Sequence, residues 1–219
     1  MSAVKHLGVG LGFVGGYVDT VGFILLAGLF TAHVTGNFVL IGKELVLPSH
    51  GVLIRFLAFF AFIAAVALTH LGVSRQKNRG REVLRPALYA QIGMLVLFMA
   101  FGSLAEPIGA TDTAAALLAG AAGAAAMGIQ NAASRLMLSD IAPTAVMTGN
   151  VTQLVIDTVD FIRGQRDSAV RDRIDKFLWP VLAFILGAIC GAYSCVVWQF
   201  WSLAAPIAIL TLLATVHRR

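Results

Sequence analysis

Charged residues in this chain of 219 are bunched, and between the bunches lie runs of apolar residues long enough to cross a lipid bilayer. A helix rises about 1.5 Å per residue, so a hydrocarbon core of about 30 Å takes roughly 18 or more such residues. Six runs qualify, at about 8–30, 52–73, 86–105, 112–138, 177–198 and 200–216. Only 12% of the residues are charged against 58% hydrophobic, about half the charge of a soluble domain. In lipid a helix satisfies its own backbone groups. The expectation is therefore all-α: a polytopic membrane protein whose residues 1–219 form one transmembrane domain. The first run is too long and too rich in glycine for a secretory signal. Between the last two runs, "WQFWS" is an aromatic cluster suited to a membrane interface.

The basic residues orient the spans. Arg75, Lys77, Arg79, Arg81 and Arg85 fall in one loop, and Arg163, Arg166, Arg171, Arg173 and Lys176 in another. With six spans both loops share a side with Lys5, Arg218 and Arg219, which collects 13 of the 16 basic residues there. Such an excess marks the cytoplasmic side, so both termini are expected in the cytoplasm. That bias also accounts for the net charge of +5; no basic patch interleaved with aromatics points to nucleic acid.

The chain then repeats itself. "TAHVTGN" at Thr31 to Asn37 returns as "TAVMTGN" at Thr144 to Asn150. Gly8, Gly12 and Gly16 match Gly120, Ala124 and Gly128, and "GYVD" from Gly16 matches "GIQN" from Gly128. "RFLAFFAFIAAVAL" from Arg55 matches "KFLWPVLAFILGAIC" from Lys176, and Pro86 and Pro206 open the third helix of each half. The first repeat covers about 8–105 and the second about 112–217. Three spans are an odd number, so the halves must be mutually upside down: a 3+3 inverted repeat. That plan recurs in secondary transporters, with the site between the halves, and some channels share it. The small residues, spaced by four, predict close packing of the first and fourth spans with each other or with near neighbours.

Few polar residues lie within the spans. Asp19 is deep in the first, and an intramembrane carboxyl is protonated, paired or turned to an aqueous cavity. At the matching place stand Gln130 and Asn131, with Arg135 one turn on. Arg135 either snorkels to the interface or partners Asp19 or an anionic substrate. Gly36 and Gly149 suit the left-handed end of a helix, and Asn37 and Asn150 suit the cap of the next. Each TGN thus marks a helix break before a short amphipathic half-helix, unless it is a capped loop at the membrane surface. Thr35 and Thr148 add hydroxyls, and free N–H groups starting the short helix would favour an anion or a carbonyl oxygen.

"GYVDTVGF", "HVTGN", "GIQNAASR" and "PTAVMTGN" resemble the signature of the YoaK family of bacterial membrane proteins. The likeness runs through the whole chain and implies a polytopic membrane protein of about this length; it supplies no substrate. Its signature positions here are Gly16, Asp19, Gly22, Thr35, Gly36, Asn37, Gly128, Gln130, Asn131, Thr148, Gly149 and Asn150.

Enzyme chemistry finds no footing. His6, His33, His50, His70 and His217 are scattered without metal-ligand spacing, and no nucleophile elbow or phosphate loop occurs. Asp157 and Asp160 sit among arginines as a solvated charge network, and Cys190 and Cys195 are packing residues. The sequence therefore reads as a carrier in the bacterial inner membrane, working as a homodimer and moving a small polar or anionic metabolite. The substrate site combines Asp19, Thr35, Gly36, Asn37, Gln130, Asn131, Arg135, Thr148, Gly149 and Asn150, with Asp19 as a proton-coupling group. No cofactor or metal is expected. A passive channel of the same plan, or a scaffold or sensor acting through the basic loops, fits the same residues.

Overall fold

The computed structural model describes residues 3–47, 51–105, 111–138, 141–144, 147–165 and 167–216, and the regular structure among them is entirely helical. The helices are α1 (Ala3–Leu25), α2 (Gly36–Val46), α3 (Val52–Lys77), α4 (Leu84–Leu104), α5 (Ala114–Met137), α6 (Met147–Ile162), α7 (Ser168–Trp198) and α8 (Ala204–Val216). A 3-10 segment, Gln199–Leu203, joins the last two. Among the described residues, five stretches are long and apolar enough to cross a membrane: Lys5–Leu25, Val52–Lys77, Leu84–Leu104, Ala114–Met137 and Ser168–Val216. The fifth is folded on itself. Gln199 has φ 48°, and beyond it the chain reverses: α1 runs beside α7 in the same direction but meets α8 head to tail.

Close contacts fix these directions. A Cβ added to Gly12 would lie 2.7 Å from the Pro180 carbonyl oxygen, and one on Gly191 the same distance from the Tyr17 oxygen. One on Gly16 or Gly187 would overlap the Phe184 or Phe13 carbonyl outright. Contacts advance together along α1 and α7, so the pair is parallel, backbone against backbone. Gly120 against Ile54 and Gly128 against Phe62 make α5 and α3 parallel in the same way. Between α1 and α5 the order inverts: Leu29 lies against Gly120, while the Leu11 carbonyl accepts from Gln130. These helices are antiparallel. The glycine stripes therefore pack as small residues do in lipid. Their main partners are α7 and α3, rather than each other.

The packing has an exchange symmetry. The opening helix of each half lies along the long helix of the other, while α2 stays with α3 and α6 with α7. α1 and α5 are the most buried spans, and α3, α4 and α7 turn large apolar side chains outward. Both arginine-rich segments sit at one end of the bundle. There Lys5 meets Asp175 at 3.0 Å and the Arg85 Nε donates to the Ala214 carbonyl at 3.1 Å.

The breaks fall earlier than the TGN sequences suggest. α1 ends at Leu25, short of the expected residue 30, because Ala27 (φ 48°) and Gly28 (φ 83°) turn the chain left-handed. The Gly28 N–H closes a six-residue loop on the Phe23 carbonyl at 2.8 Å, the bond of a Schellman end. The chain then doubles back along α1 until Thr31 lies beside Gly22, where a Cβ would sit 2.8 Å from the Thr31 methyl. Neither Gly36 nor Gly149 is left-handed; each lies in the first turn of a short helix, of 11 residues (α2) or 16 (α6). Arg166, His50 and the chain's last three residues lie outside the described residues.

Candidate functional site

Asp19 organises the first returning loop. Its Oδ1 accepts the backbone N–H groups of Thr31 at 2.8 Å and Ala32 at 2.7 Å, and the Thr31 hydroxyl at 3.3 Å. Its Oδ2 is 2.6 Å from the Nδ1 of His33. Asp19 is buried, while His33 is about a third exposed. Of the readings open for Arg135, the partnership with Asp19 is not formed: the Asp19 oxygens are taken by Thr31, Ala32 and His33. Among the described residues no carboxylate pairs with Arg135, which is exposed.

The second loop is tied at the same places by different chemistry. Gln130 donates to the Thr144 hydroxyl at 3.1 Å and to the Leu11 carbonyl at 2.9 Å, and accepts from Gln91 at 2.7 Å. Thr144 is the repeat partner of Thr31, so a buried polar side chain of the preceding helix holds each loop by the same threonine. The two asparagines act as clamps rather than helix caps. Asn37 accepts from the Phe30 N–H at 2.9 Å and donates to the Phe30 carbonyl at 2.8 Å. Asn150 donates to the carbonyl of Pro143, also seven residues back, at 2.6 Å. Proline has no N–H, so the second clamp has one bond fewer.

Between the two loops lies a cavity of about 530 Å³. His33, Thr35, Asn131, Arg135 and Thr148 bring its polar groups, and Val34, Phe62, Val66 and Met147 its apolar walls. Thr35 and Thr148 are repeat partners, and both are exposed while Asn37 and Asn150 are buried. Of the ten sequence-predicted residues, Thr35, Asn131, Arg135 and Thr148 line the cavity. Asp19 stands behind His33. Gln130, Asn37 and Asn150 are committed to holding the loops, and Gly36 and Gly149 adjoin the threonines. A Cβ on Gly36 would lie 3.1 Å from the Phe30 ring, so the glycine lets that ring close over the loop. The backbone of α2 offers an anion less than expected: the N–H groups of Gly36, Asn37 and Phe38 bond the carbonyls of His33, Val34 and Thr35.

Among the described residues no carboxylate lines the cavity, whereas a guanidinium, an amide, an imidazole and two hydroxyls do. Such a donor-rich space suits an anion or a carbonyl-bearing molecule. Sequence reasoning passed over His33 because the histidines were weighed as metal ligands. A signal existed: Asp19 and His33 have Asn131 and Val146 as repeat partners, so both titratable groups belong to one half.

A second pair of repeat partners lies away from the cavity. Glu44 and Asp157 stand 113 positions apart, and each buried carboxylate meets an arginine near the start of the following helix. Glu44 pairs with Arg55, which also donates to the Ala27 carbonyl at 2.7 Å. Asp157 meets Arg173 at 2.9 Å. Asp157 is therefore a buried pairing group instead of a member of a solvated network.

Against known proteins, residues 7–216 match the family model described as "Protein of unknown function (DUF1275)". The chain is similar to UPF0700 transmembrane protein YoaK of Bacillus subtilis (strain 168), at 27% identity over 186 residues. The match covers 82% of this chain and 78% of that protein. No solved structure matches.

Proposed function

The chain belongs to the DUF1275 family of membrane proteins, and on that premise we propose that it is a secondary carrier for a small anionic or polar metabolite. The observation that carries this reading is the cavity to which both halves bring the same residue, Thr35 just before α2 and Thr148 in the first turn of α6. Antiparallel α1 and α5, the exchanged packing and the reversal at Gln199 favour six spans in a 3+3 inverted repeat. Carriers of that plan bind substrate where the halves meet, beside interrupted helices. The returning loops and the short helices α2 and α6 are such interruptions, and their freed backbone groups are tied by Asp19, Gln130, Asn37 and Asn150.

Arg135 and Asn131 take the charged or carbonyl end of the substrate, with His33 opposite. The Asp19–His33 pair is the proton-coupling group: a proton on the imidazole draws an anion into the cavity, and its loss lets the anion go. The basic end of the bundle, with both termini, faces the cytoplasm of a bacterial inner membrane. The test is uptake into proteoliposomes by purified protein. Saturable flux of one small anion, accelerated by an inward proton gradient and reduced at least tenfold in Arg135→Gln, supports the carrier. Turnover near diffusion rates turns the reading to a pore. No flux across a broad panel of anions, with no anion raising thermal stability by mass action, removes it.

A further inference from the structure

A groove unrelated to the cavity runs between α3 and α4, floored by α5, with a volume of about 740 Å³. We propose that it holds one acyl chain of an anionic phospholipid whose phosphate is gripped by the basic segment closing the groove's end. Along α3 the lining runs from Ala61 to Gln76, about 22 Å at 1.5 Å per residue and enough for a chain from one leaflet.

Two observations point to an occupant. Gly72 and Gly93 both line this groove, and a Cβ on either would meet nothing within 4 Å. The glycines of the α1–α7 and α3–α5 seams are required by a neighbouring backbone or side chain, whereas these two only widen the trough. A glycine within a helix costs up to about 1 kcal/mol against alanine, so unneeded width has a cost.

The charges supply the second. Gln76 and Val83 end the groove, and Arg75, Lys77, Arg79 and Arg81 lie beside them, exposed. Among the described residues none of these four pairs with a carboxylate. Glu82, the one acid in the segment, accepts the Arg85 N–H, and the Arg85 guanidinium is turned to the Ala214 carbonyl. The other basic segment differs: Arg173 holds Asp157, Arg171 lies over the Phe161 ring, and Lys5 reaches Asp175. Positive charge without an internal partner is thus concentrated where the apolar groove opens, and that combination fits a lipid phosphate with its chain.

The experiment reconstitutes the protein in equal phosphatidylglycerol and phosphatidylcholine, then weighs protein and retained lipid by native mass spectrometry. Wild type should retain one lipid per protomer, mostly phosphatidylglycerol. Arg79→Ser with Arg81→Ser should lower that preference about 25-fold, from about fivefold per charge removed. Gly72→Leu with Gly93→Leu should fill the trough and abolish retention of either lipid while the protein stays folded. Retention without preference, an unchanged preference in the arginine variant, or full retention in folded glycine variants each overturns the proposal. So does a wild-type dimer that the leucines split, because the groove would then hold a second copy. If the leucine protein does not fold, the arginine variant decides alone.

Discussion

The carboxylate of Asp19 uses one oxygen on the backbone of Thr31 and Ala32 and the other on the His33 ring. These are separate tasks, and substitution separates them. Asp19→Asn keeps an oxygen for the backbone but gives His33 an amide in place of a carboxylate. It should fold, lose about 1–2 kcal/mol on thermal unfolding, and keep substrate exchange while losing uptake driven by a pH gradient. Asp19→Ala strands the loop amides and should lose the folded state. Undiminished pH-driven uptake in a stable Asp19→Asn protein would leave Asp19 with the loop task alone. The asparagine clamps give a graded comparison. Asn37→Ala removes two backbone bonds and Asn150→Ala one to the backbone, so losses of about 2–3 and about 1–2 kcal/mol are expected. Equal losses would mean that the Phe30 N–H finds another partner. At this scale the sequence named most of the polar groups near the cavity but not their bonds. Position along a helix indicates depth; it does not say that the following loop will come back to meet the residue.

Helices were more legible than loops. The apolar runs lie close to α3, α4, α5 and α8, because burial in lipid demands length and composition, and both can be read directly. α7 instead begins at Ser168, so Arg171, Arg173 and Lys176, expected in a loop, are helical. The end of α1 was missed by five residues, since "LLAGLF" continues apolar through the left-handed turn at Ala27 and Gly28. Apolar character does not distinguish a span from a loop returning into the bundle. The carboxylate–arginine ties between the short and long helices were likewise hidden, their partners being 11 and 16 positions apart. Arg55→Leu removes the arginine from buried Glu44 and the donor from Ala27, and should cost about 3–5 kcal/mol. Adding Glu44→Leu should recover much of it. Arg173 is nearly half exposed, so Arg173→Leu should cost visibly less in the same unfolding measurement. Comparable losses would show that exposure does not separate the two ties.

Across the whole molecule, the direction of each helix follows from side-to-side contacts, so sidedness can be checked without a substrate. Cysteines placed at Asn78 and Ser168, in a background lacking Cys190 and Cys195, should react with an impermeant reagent from one face of the membrane. A cysteine at exposed Leu47, near the other end, should react from the opposite face. Asn78 and Ser168 labelling from different faces would undo the proposed inverted repeat. The exchanged packing has a further consequence, in the order of synthesis. Gly16 is buried by Phe184, which the ribosome reaches 168 residues later. At about 5–20 residues per second, α1 waits roughly 10–30 s in the translocon's neighbourhood with its glycine stripe bare. During that wait the first half cannot be a finished unit, since α5 and α7 are still to come. Nascent chains arrested at Gln165 should accordingly crosslink through Gly12 or Gly16 to lipid or insertion machinery, and chains arrested after α7 has emerged should not.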